Sequence, residues 1–564
     1  MTTSLVAGRP AANTRTPRPS YARGGDDVPL LNETIGANFD RIVATHGSRE
    51  ALVEYFTGRR WTYDELRADV DALALGLLRL GIEKGDRVGI WAPNCAEWTQ
   101  LQYATARIGA ILVCINPAYR VHELQYVLNQ AGVRLLVAAQ SFKSSDYAAM
   151  IGQARADCPR LEHVVLIGTP QWRQLSDPDG DPALLVEAEQ SLHPTDPINI
   201  EYTSGTTGNP KGATLSHHGI LNNAYLIGEI CRYTEADRIC VPVPLFHIFG
   251  MVIGNLGATT RGACLVYPSP AFDPAATLAA VSDERCTSLY GVPTMFIAEL
   301  AELDAAGDDR YELASLRTGM MAGSPCPVEV MKQVVNRLGM TEVTIGYGMT
   351  ETSPLSTQTR PGDSLERRVS TVGRVHPHVE IKIVDPQTGL TVPRGVPGEF
   401  CARGYSVMLG YWDDPDRTAE AIDADGWMHT GDIATMDADG YVNITGRIKD
   451  MLIRGGENIS PREIEEFLHT HPDVLDVQVV GVPDARYGEE IMAWLKLRPG
   501  ADDLSAADIR EFADGRLSRN KIPRYVRVVD AFPMTVSGKV RKVEMREQSV
   551  RLLGLEGVAA TRYA

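Results

Sequence analysis

Apolar positions recur along this chain with two periods. Tyr63–Leu80 has them at helical spacing, whereas Arg87–Trp91 and Ile111–Ile115 are short continuous apolar runs suited to buried parallel strands. The same alternation returns at Ile239–Val243, Ala263–Tyr267, Ser288–Gly291 and Glu342–Ile345. Strands separated by helices predict an α/β fold of stacked subdomains with parallel sheets. Between Thr391 and Gly410 glycines and charges thicken, which predicts shorter strands in a third, β-rich unit. The pattern changes at Gly446-Arg447-Ile448-Lys449-Asp450, a polar turn, and a linker is expected at Arg447–Asp450. Beyond it, Ser460-Pro461-Arg462-Glu463 reads as a capping box with Pro at the first helical position. A helix over Pro461–His469, strands near Val474–Val482 and Met492–Leu497, and a helix from Ser505 to Leu517, again opened by a capping pattern from Ser505 to Asp508, complete a small α+β unit. The expected organisation is a disordered tail over 1–29, a large N-terminal domain over 30–448 and a C-terminal domain over 449–564.

Composition narrows the function classes. The 564 residues are 44% hydrophobic and 23% charged, as in ordinary globular proteins, and carry a formal charge of −17. That balance excludes a broad nucleic-acid-binding surface and makes the placement of individual cations informative. Nine cysteines are scattered without a C-x-x-C pair, so they read as small core residues in a reducing, cytoplasmic compartment. The most apolar stretch, Val241–Ala258, is broken by Pro242, Pro244 and His247 and does not read as a membrane span. Arg9, Arg15, Arg18 and Arg23 near the start are interrupted by prolines, which favours a disordered tail over a transit peptide. The sequence leaves the oligomeric state open, a dimer included.

The densest chemistry lies in Tyr202-Thr203-Ser204-Gly205-Thr206-Thr207-Gly208-Asn209-Pro210-Lys211-Gly212. Glycines let backbone N–H groups approach an anion, hydroxyls add donors and Lys211 adds a mobile charge, together the chemistry of a polyphosphate cradle. It is not a Walker A loop, because Lys211 is followed by Gly212 and not by Ser or Thr. A strand-like lead-in at Ile198–Tyr202 and a helix-like follow-on from Ser216 argue against a plain surface turn.

Four further stretches carry chemistry. In Gly346-Tyr347-Gly348-Met349-Thr350-Glu351 an aromatic between glycines can stack on a base, and a carboxylate beside a hydroxyl can hold a hard cation. In Trp427-Met428-His429-Thr430-Gly431-Asp432 a fixed carboxylate can accept hydrogen bonds from ribose hydroxyls. Pro533-Met534-Thr535-Val536-Ser537-Gly538-Lys539 places one Lys after a Gly-containing loop. Leu245-Phe246-His247-Ile248-Phe249-Gly250 places one His in an apolar run, which by itself reads as a satisfied core histidine.

With these motifs in this order, the chain from about Leu30 to Lys542 resembles the adenylate-forming superfamily, which includes acyl-CoA synthetases, aryl-CoA ligases and nonribosomal adenylation domains. The resemblance implies a two-step ATP-dependent activation of a carboxylic acid, with CoA as acyl acceptor and Mg²⁺ as cofactor. It assigns the ATP-facing set to Thr203, Ser204, Gly205, Thr206, Thr207, Gly208 and Lys211, with Gly323, Ser324 and Gly346. Tyr347 is implied on the adenine, Thr350 on the α-phosphate, Glu351 on Mg²⁺, and Asp432 with Arg447 on the ribose. Lys539 is implied as the catalytic lysine, and His247 at the carboxylate approach and acyl tunnel. Lys449 corresponds to the hinge of a mobile C-terminal domain, whose Gly455-Gly456-Glu457 loop would turn toward the pantetheine of CoA.

Where the family pattern often has Arg three residues after the catalytic lysine, this chain has Lys542. Acetate-restricted members carry Trp at the position of Gly348, so Gly348, His247 and Met349 are expected to leave room for a longer acyl chain. The nearest likeness is to bacterial fatty-acyl-CoA synthetases of the medium-chain type. An aryl-CoA ligase and an acyl-AMP ligase that loads a carrier protein would use the same motifs. A nucleotide-binding pseudo-enzyme is disfavoured by the intact Lys539, Glu351 and Asp432.

Overall fold

The computed structural model describes residues 18–203, 210–307, 310–324, 326–454, 457–535, 539–556 and 558. Ser204, Gly205, Thr206, Thr207, Gly208, Gly455 and Gly456 of the expected site lie outside the described residues, as do the side chains of Lys449 and Glu457.

Two parallel-centred sheets form the bulk of the molecule. One runs in the order Gly410–Tyr411, Lys211–Ser216, Pro197–Thr203, Ile111–Cys114, Arg87–Trp91, Leu135–Ala138 and His163–Leu166. The other begins at Arg374–Val375, Leu355–Gln358 and Thr344–Gly348. It continues through Thr318–Ala322, Ser288–Gly291, Arg238–Cys240, Cys264–Tyr267, Glu50–Glu54 and Arg59–Thr62. Their central strands are the apolar runs of the sequence, and burial on both faces accounts for the absence of alternation.

The connecting helices start where the chain supplies caps. Tyr63–Arg79 begins at a Thr62/Glu65 capping box, and the Ser216 side chain accepts from the Gly219 amide at the start of His217–Ile230. Helix Ala96–Ile108 is buried along its whole length. Its Thr99 and Gln102 accept hydrogen bonds from Asn255 at 3.1 and 2.8 Å, which tie it to a π-helical segment, Phe249–Leu256. Buried polar groups joined in this way fix one packing of the core. The apolar run at Val241–Ala258 is therefore core, and no described helix is long and apolar enough to cross a membrane.

A third, antiparallel sheet runs Tyr21–Arg23, Val379–Val384, Gly398–Gly404, Met428–Met436 and Val442–Arg447. From residue 18 on it corrects the expectation of a disordered tail over 1–29, since Tyr21 pairs with Lys382 and Arg23 with Glu380. Arg394 donates to the carbonyls of Pro19 and Tyr21, and Gly24 is bonded to the Val379 carbonyl. A three-residue strand whose partner lies some 360 positions away leaves no periodic signal.

Beyond Arg447, one turn of 3₁₀ helix at Ile448–Asp450 stands where the linker was expected. The C-terminal unit has strands Glu457–Ile459, Leu452–Arg454, Gly488–Leu497 and Val474–Asp484, with Tyr525–Val528 parallel to Gly488–Leu497. Helix Ala506–Ala513 opens on the expected Ser505/Asp508 box. Helix Pro461–Leu468 does not open on a capping box. The Ser460 hydroxyl donates to the Thr445 carbonyl instead, so a tertiary contact takes the group that a local cap would use.

At Gly24 an added Cβ would lie 1.9 Å from the His376 carbonyl oxygen. Gly24→Ala is expected to destabilise the fold by about 1–3 kcal/mol through this overlap, read as a lowered thermal denaturation midpoint. An unchanged midpoint would contradict the ordered strand at Tyr21–Arg23.

Candidate active site

The candidate residues gather at the carboxyl ends of the second sheet's parallel strands, where open α/β sheets place their ligands. Arg238–Cys240 leads to His247, Thr318–Ala322 to Gly323 and Ser324, and Thr344–Gly348 carries Gly346 and Tyr347 before Thr350 and Glu351. In the first sheet, Thr203 and Lys211, which flank the hydroxyl-rich stretch, are paired across the antiparallel strands Pro197–Thr203 and Lys211–Ser216.

Tyr347, Asp432 and Arg447 form one cluster. The Tyr347 hydroxyl donates to Asp432 Oδ2 at 2.7 Å, and Arg447 Nε meets Oδ1 at 3.1 Å. Strand pairing sets this up, because Asp432 and Arg447 are register partners. The Tyr347 ring packs edge-on against Phe400, with centroids 5.0 Å apart. Burial pushes the Asp432 carboxyl up, and Arg447 and Tyr347 oppose that by favouring the anion. Thr430, two residues earlier on the same strand, is fixed by a 2.7 Å bond from its hydroxyl to the Phe400 carbonyl.

Lys539 comes from the C-terminal unit and reaches this site. Its Nζ lies 3.4 Å from His247 Nε2, and its Cε would be 3.6 Å from a Cβ built on Gly323. Gly323 has φ +89°, a left-handed backbone that glycine adopts without strain. Burial lowers Lys539 to about 8, Arg447 adds to that, and Glu351 and Asp432 oppose it. Burial also pushes His247 well below its usual range, and the Lys539 charge does so further. His247 is therefore neutral. Its Nδ1 accepts from the Phe249 amide at 3.2 Å, which puts the ring proton on Nε2. Two donors, Nζ and Nε2, thus face each other, an arrangement that an anion set against both would satisfy.

Thr350 and Glu351 sit buried in a 3₁₀ turn, Thr350–Thr352. The Tyr411 hydroxyl donates to Glu351 Oε1 at 2.8 Å, and the Lys211 ammonium lies 4.8 Å from the centroid of the Tyr411 ring. Tyr411 thus joins the phosphate-loop lysine to the carboxylate. Sequence reasoning passed over it. The signal was the run Gly410-Tyr411-Trp412, which reads as ordinary turn and core until Gly410–Tyr411 is seen to pair with Lys211–Ser216.

His429 was quoted in its motif and given no role. It bonds Glu399 at 2.9 Å, with Cys401 Sγ at 3.5 Å. These contacts, Cys401 first and then Glu399, raise the imidazole to about 10. A His429 that keeps its charge up to about 10 accounts for the Glu399–Cys401–His429 grouping as an ion pair on the strand that carries Asp432.

Gly348 answers a backbone constraint that the sequence did not show. A Cβ there would lie 1.8 Å from the Pro354 carbonyl oxygen, so the close approach of the chain at Pro354 and Leu355 demands glycine irrespective of the acyl pocket. Met349 is partly buried against the main core, and its amide donates to the same Pro354 carbonyl at 3.0 Å.

Comparison with known proteins agrees with this geometry. Residues 39–412 match the AMP-binding enzyme family, and residues 463–539 match the AMP-binding enzyme C-terminal domain. YngI of Bacillus subtilis, which bears the name of an acyl-CoA synthetase, is 47% identical over 93% of this chain and 99% of its own. The mitochondrial medium-chain acyl-CoA ligase ACSF2 of Danio rerio is 43% identical over 95% of this chain and 91% of its own. Among solved structures, the anthranilate CoA ligase AuaEII in complex with anthranoyl-AMP superposes with a TM-score of 0.83. It is 28% identical and covers 93% of this chain and 98% of its own. The chain belongs to the AMP-binding family of adenylate-forming enzymes.

Proposed function

We propose that the protein is an ATP-dependent fatty-acid–CoA ligase that acts on medium-chain acids, and that the residues gathered above carry both of its half-reactions. The observation that carries the reading is the meeting of Lys539 Nζ and His247 Nε2, 3.4 Å apart, as two donors that one carboxylate oxygen set against both would bridge.

In the first half-reaction a carboxylate oxygen attacks the α-phosphorus of ATP. The bond from phosphorus to the bridging oxygen breaks, and pyrophosphate leaves with the electron pair. Two anions must meet, so positioning and charge neutralisation supply most of the rate. Lys539 and His247 hold the carboxylate. Lys211 and the hydroxyl-rich stretch hold the phosphates, Tyr347 takes the adenine, and Asp432 with Arg447 takes the ribose. Glu351 beside Thr350 offers the hard oxygen donors that Mg²⁺ prefers, and Tyr411 orients that carboxylate from outside. Bound there, the ion would supply further countercharge to the phosphates.

In the second half-reaction the CoA sulfur attacks the acyl carbonyl, AMP leaves, and the thiol proton is lost. Lys449, in the turn that joins the two units, is the pivot that withdraws Lys539 and presents the Gly455–Glu457 loop to CoA.

The aliphatic reading is favoured over the aryl one by identity, since the 43% identical relative bears a medium-chain name and the anthranilate ligase is 28% identical. Each buried methylene adds about 0.8 kcal/mol, so preference should grade with chain length.

Two outcomes follow. With ATP and Mg²⁺, AMP formation across linear acids from acetate to palmitate, with benzoate and cinnamate alongside, should require CoA and peak at a medium-length linear acid. A peak at an aryl acid, or pyrophosphate release with no thioester formed, would overturn the reading. In the free enzyme the Lys539 ammonium is present below about 8 and lost above it. The kcat/KM for the acid in the pyrophosphate-releasing step should therefore fall as pH rises through about 8, and Lys539→Arg, which does not deprotonate there, should abolish that fall. A wild-type profile flat across that range would contradict the role given to Lys539.

A further inference from the structure

We propose that Glu465 and Lys542 form a strut that transmits docking of the C-terminal unit to the Lys539 ammonium, so that both are positioning residues for adenylation. The inference rests on the function proposed above and adds the element that sets the lysine in place.

Lys539 sits on a hairpin whose arms are closed by backbone bonds. The Thr535 amide donates to the Lys539 carbonyl at 2.7 Å, and the Arg541 amide to the Pro533 carbonyl at 2.8 Å. The Lys539 amide also donates to the Thr535 hydroxyl at 3.0 Å. These bonds tie the chain on either side of Lys539 together, so the position of the lysine follows the segment that continues from Arg541. There Lys542 opens the helix Lys542–Leu553, and its Nζ meets Glu465 Oε1 at 2.5 Å. Glu465 is buried on helix Pro461–Leu468, and the same oxygen accepts the Val479 amide at 2.8 Å. The carboxylate is thus pinned to the small unit's sheet and cannot follow the lysine if the hairpin swings.

The helix that bears Glu465 also touches the large unit. Ser460, at its N-cap, donates to the Thr445 carbonyl, and Arg462 donates to the Ile444 carbonyl. Both carbonyls belong to strand Val442–Arg447, which ends in Arg447, the ion-pair partner of Asp432. One continuous path therefore runs from the Asp432 cluster through that strand, the docked helix, Glu465 and Lys542 to the hairpin. It leads back to the Lys539 ammonium beside His247. Lys542 is needed for its charge and its reach to Glu465, and it touches neither His247 nor any other residue of the nucleotide site among the described contacts.

A merely structural pair would support both half-reactions alike. A strut that aims Lys539 matters when the lysine is in the site and not when it is withdrawn. The test measures both half-reactions in Lys542→Met, Glu465→Gln, the double variant and Lys542→Arg. Pyrophosphate release from ATP and a medium-chain acid reads the first step, and CoA thioester formation from synthetic acyl-adenylate reads the second.

We expect about 10²-fold slower pyrophosphate release in each single variant, the size of loss that a misplaced reacting group produces. Thioester formation should stay within about threefold of wild type by the same reasoning, because the lysine is then withdrawn. The double variant should be no worse than either single one, and Lys542→Arg should restore the first step. Equal loss of both steps, no loss of the first, or additive loss in the double variant would overturn the strut. A wild-type protein that performs neither step with any acid would instead overturn the function proposed above.

Discussion

The meeting of Lys539 with His247 depends on nearly every other part of this structure. An ammonium must be carried from a separate C-terminal unit into a site where burial lowers it to about 8, and be delivered opposite a neutral imidazole that also presents a proton. Neither donor satisfies the other. The acidic chain, with its formal charge of −17, thereby holds a local site for an anion. Glu351 and Asp432 keep the ammonium from falling further and are themselves held in place, the first by Tyr411 and the second by Tyr347 and Arg447.

The fold serves that meeting in a simple way. Parallel strands of the second sheet end side by side, so loops far apart in sequence leave the sheet at one edge. The π-helical segment that follows His247 is anchored by Asn255 to a wholly buried helix. The antiparallel third sheet brings Asp432 and Arg447 together by register and also receives the helix that carries Glu465. The Asp432 cluster and the helix that docks the C-terminal unit therefore meet on one strand, Val442–Arg447.

Much of this was legible in the sequence, for physical reasons. Arg87–Trp91 and Ser288–Gly291 are strands with the bounds that their apolar runs gave, because buried parallel strands have no polar face to blur them. The Ser505 cap could be read because its partner lies three residues away. Interactions set by distant partners were not legible. The strand Tyr21–Arg23, the Ser460 hydroxyl spent on Thr445, and the Tyr411–Glu351 bond each depend on a residue that only the fold brings near. Gly348 shows a subtler gap. Its identity was foreseen as space for a substrate, whereas the chain at Pro354 already requires it.

The central claim is that the Lys539 ammonium serves the first half-reaction and not the second. The most direct measurement is the rate of each half-reaction, measured separately, in Lys539→Ala. Loss of adenylation by several orders of magnitude, with thioester formation from synthetic acyl-adenylate kept near the wild-type rate, is the result this account predicts. Equal loss of both, or adenylation that survives without the lysine, would contradict it.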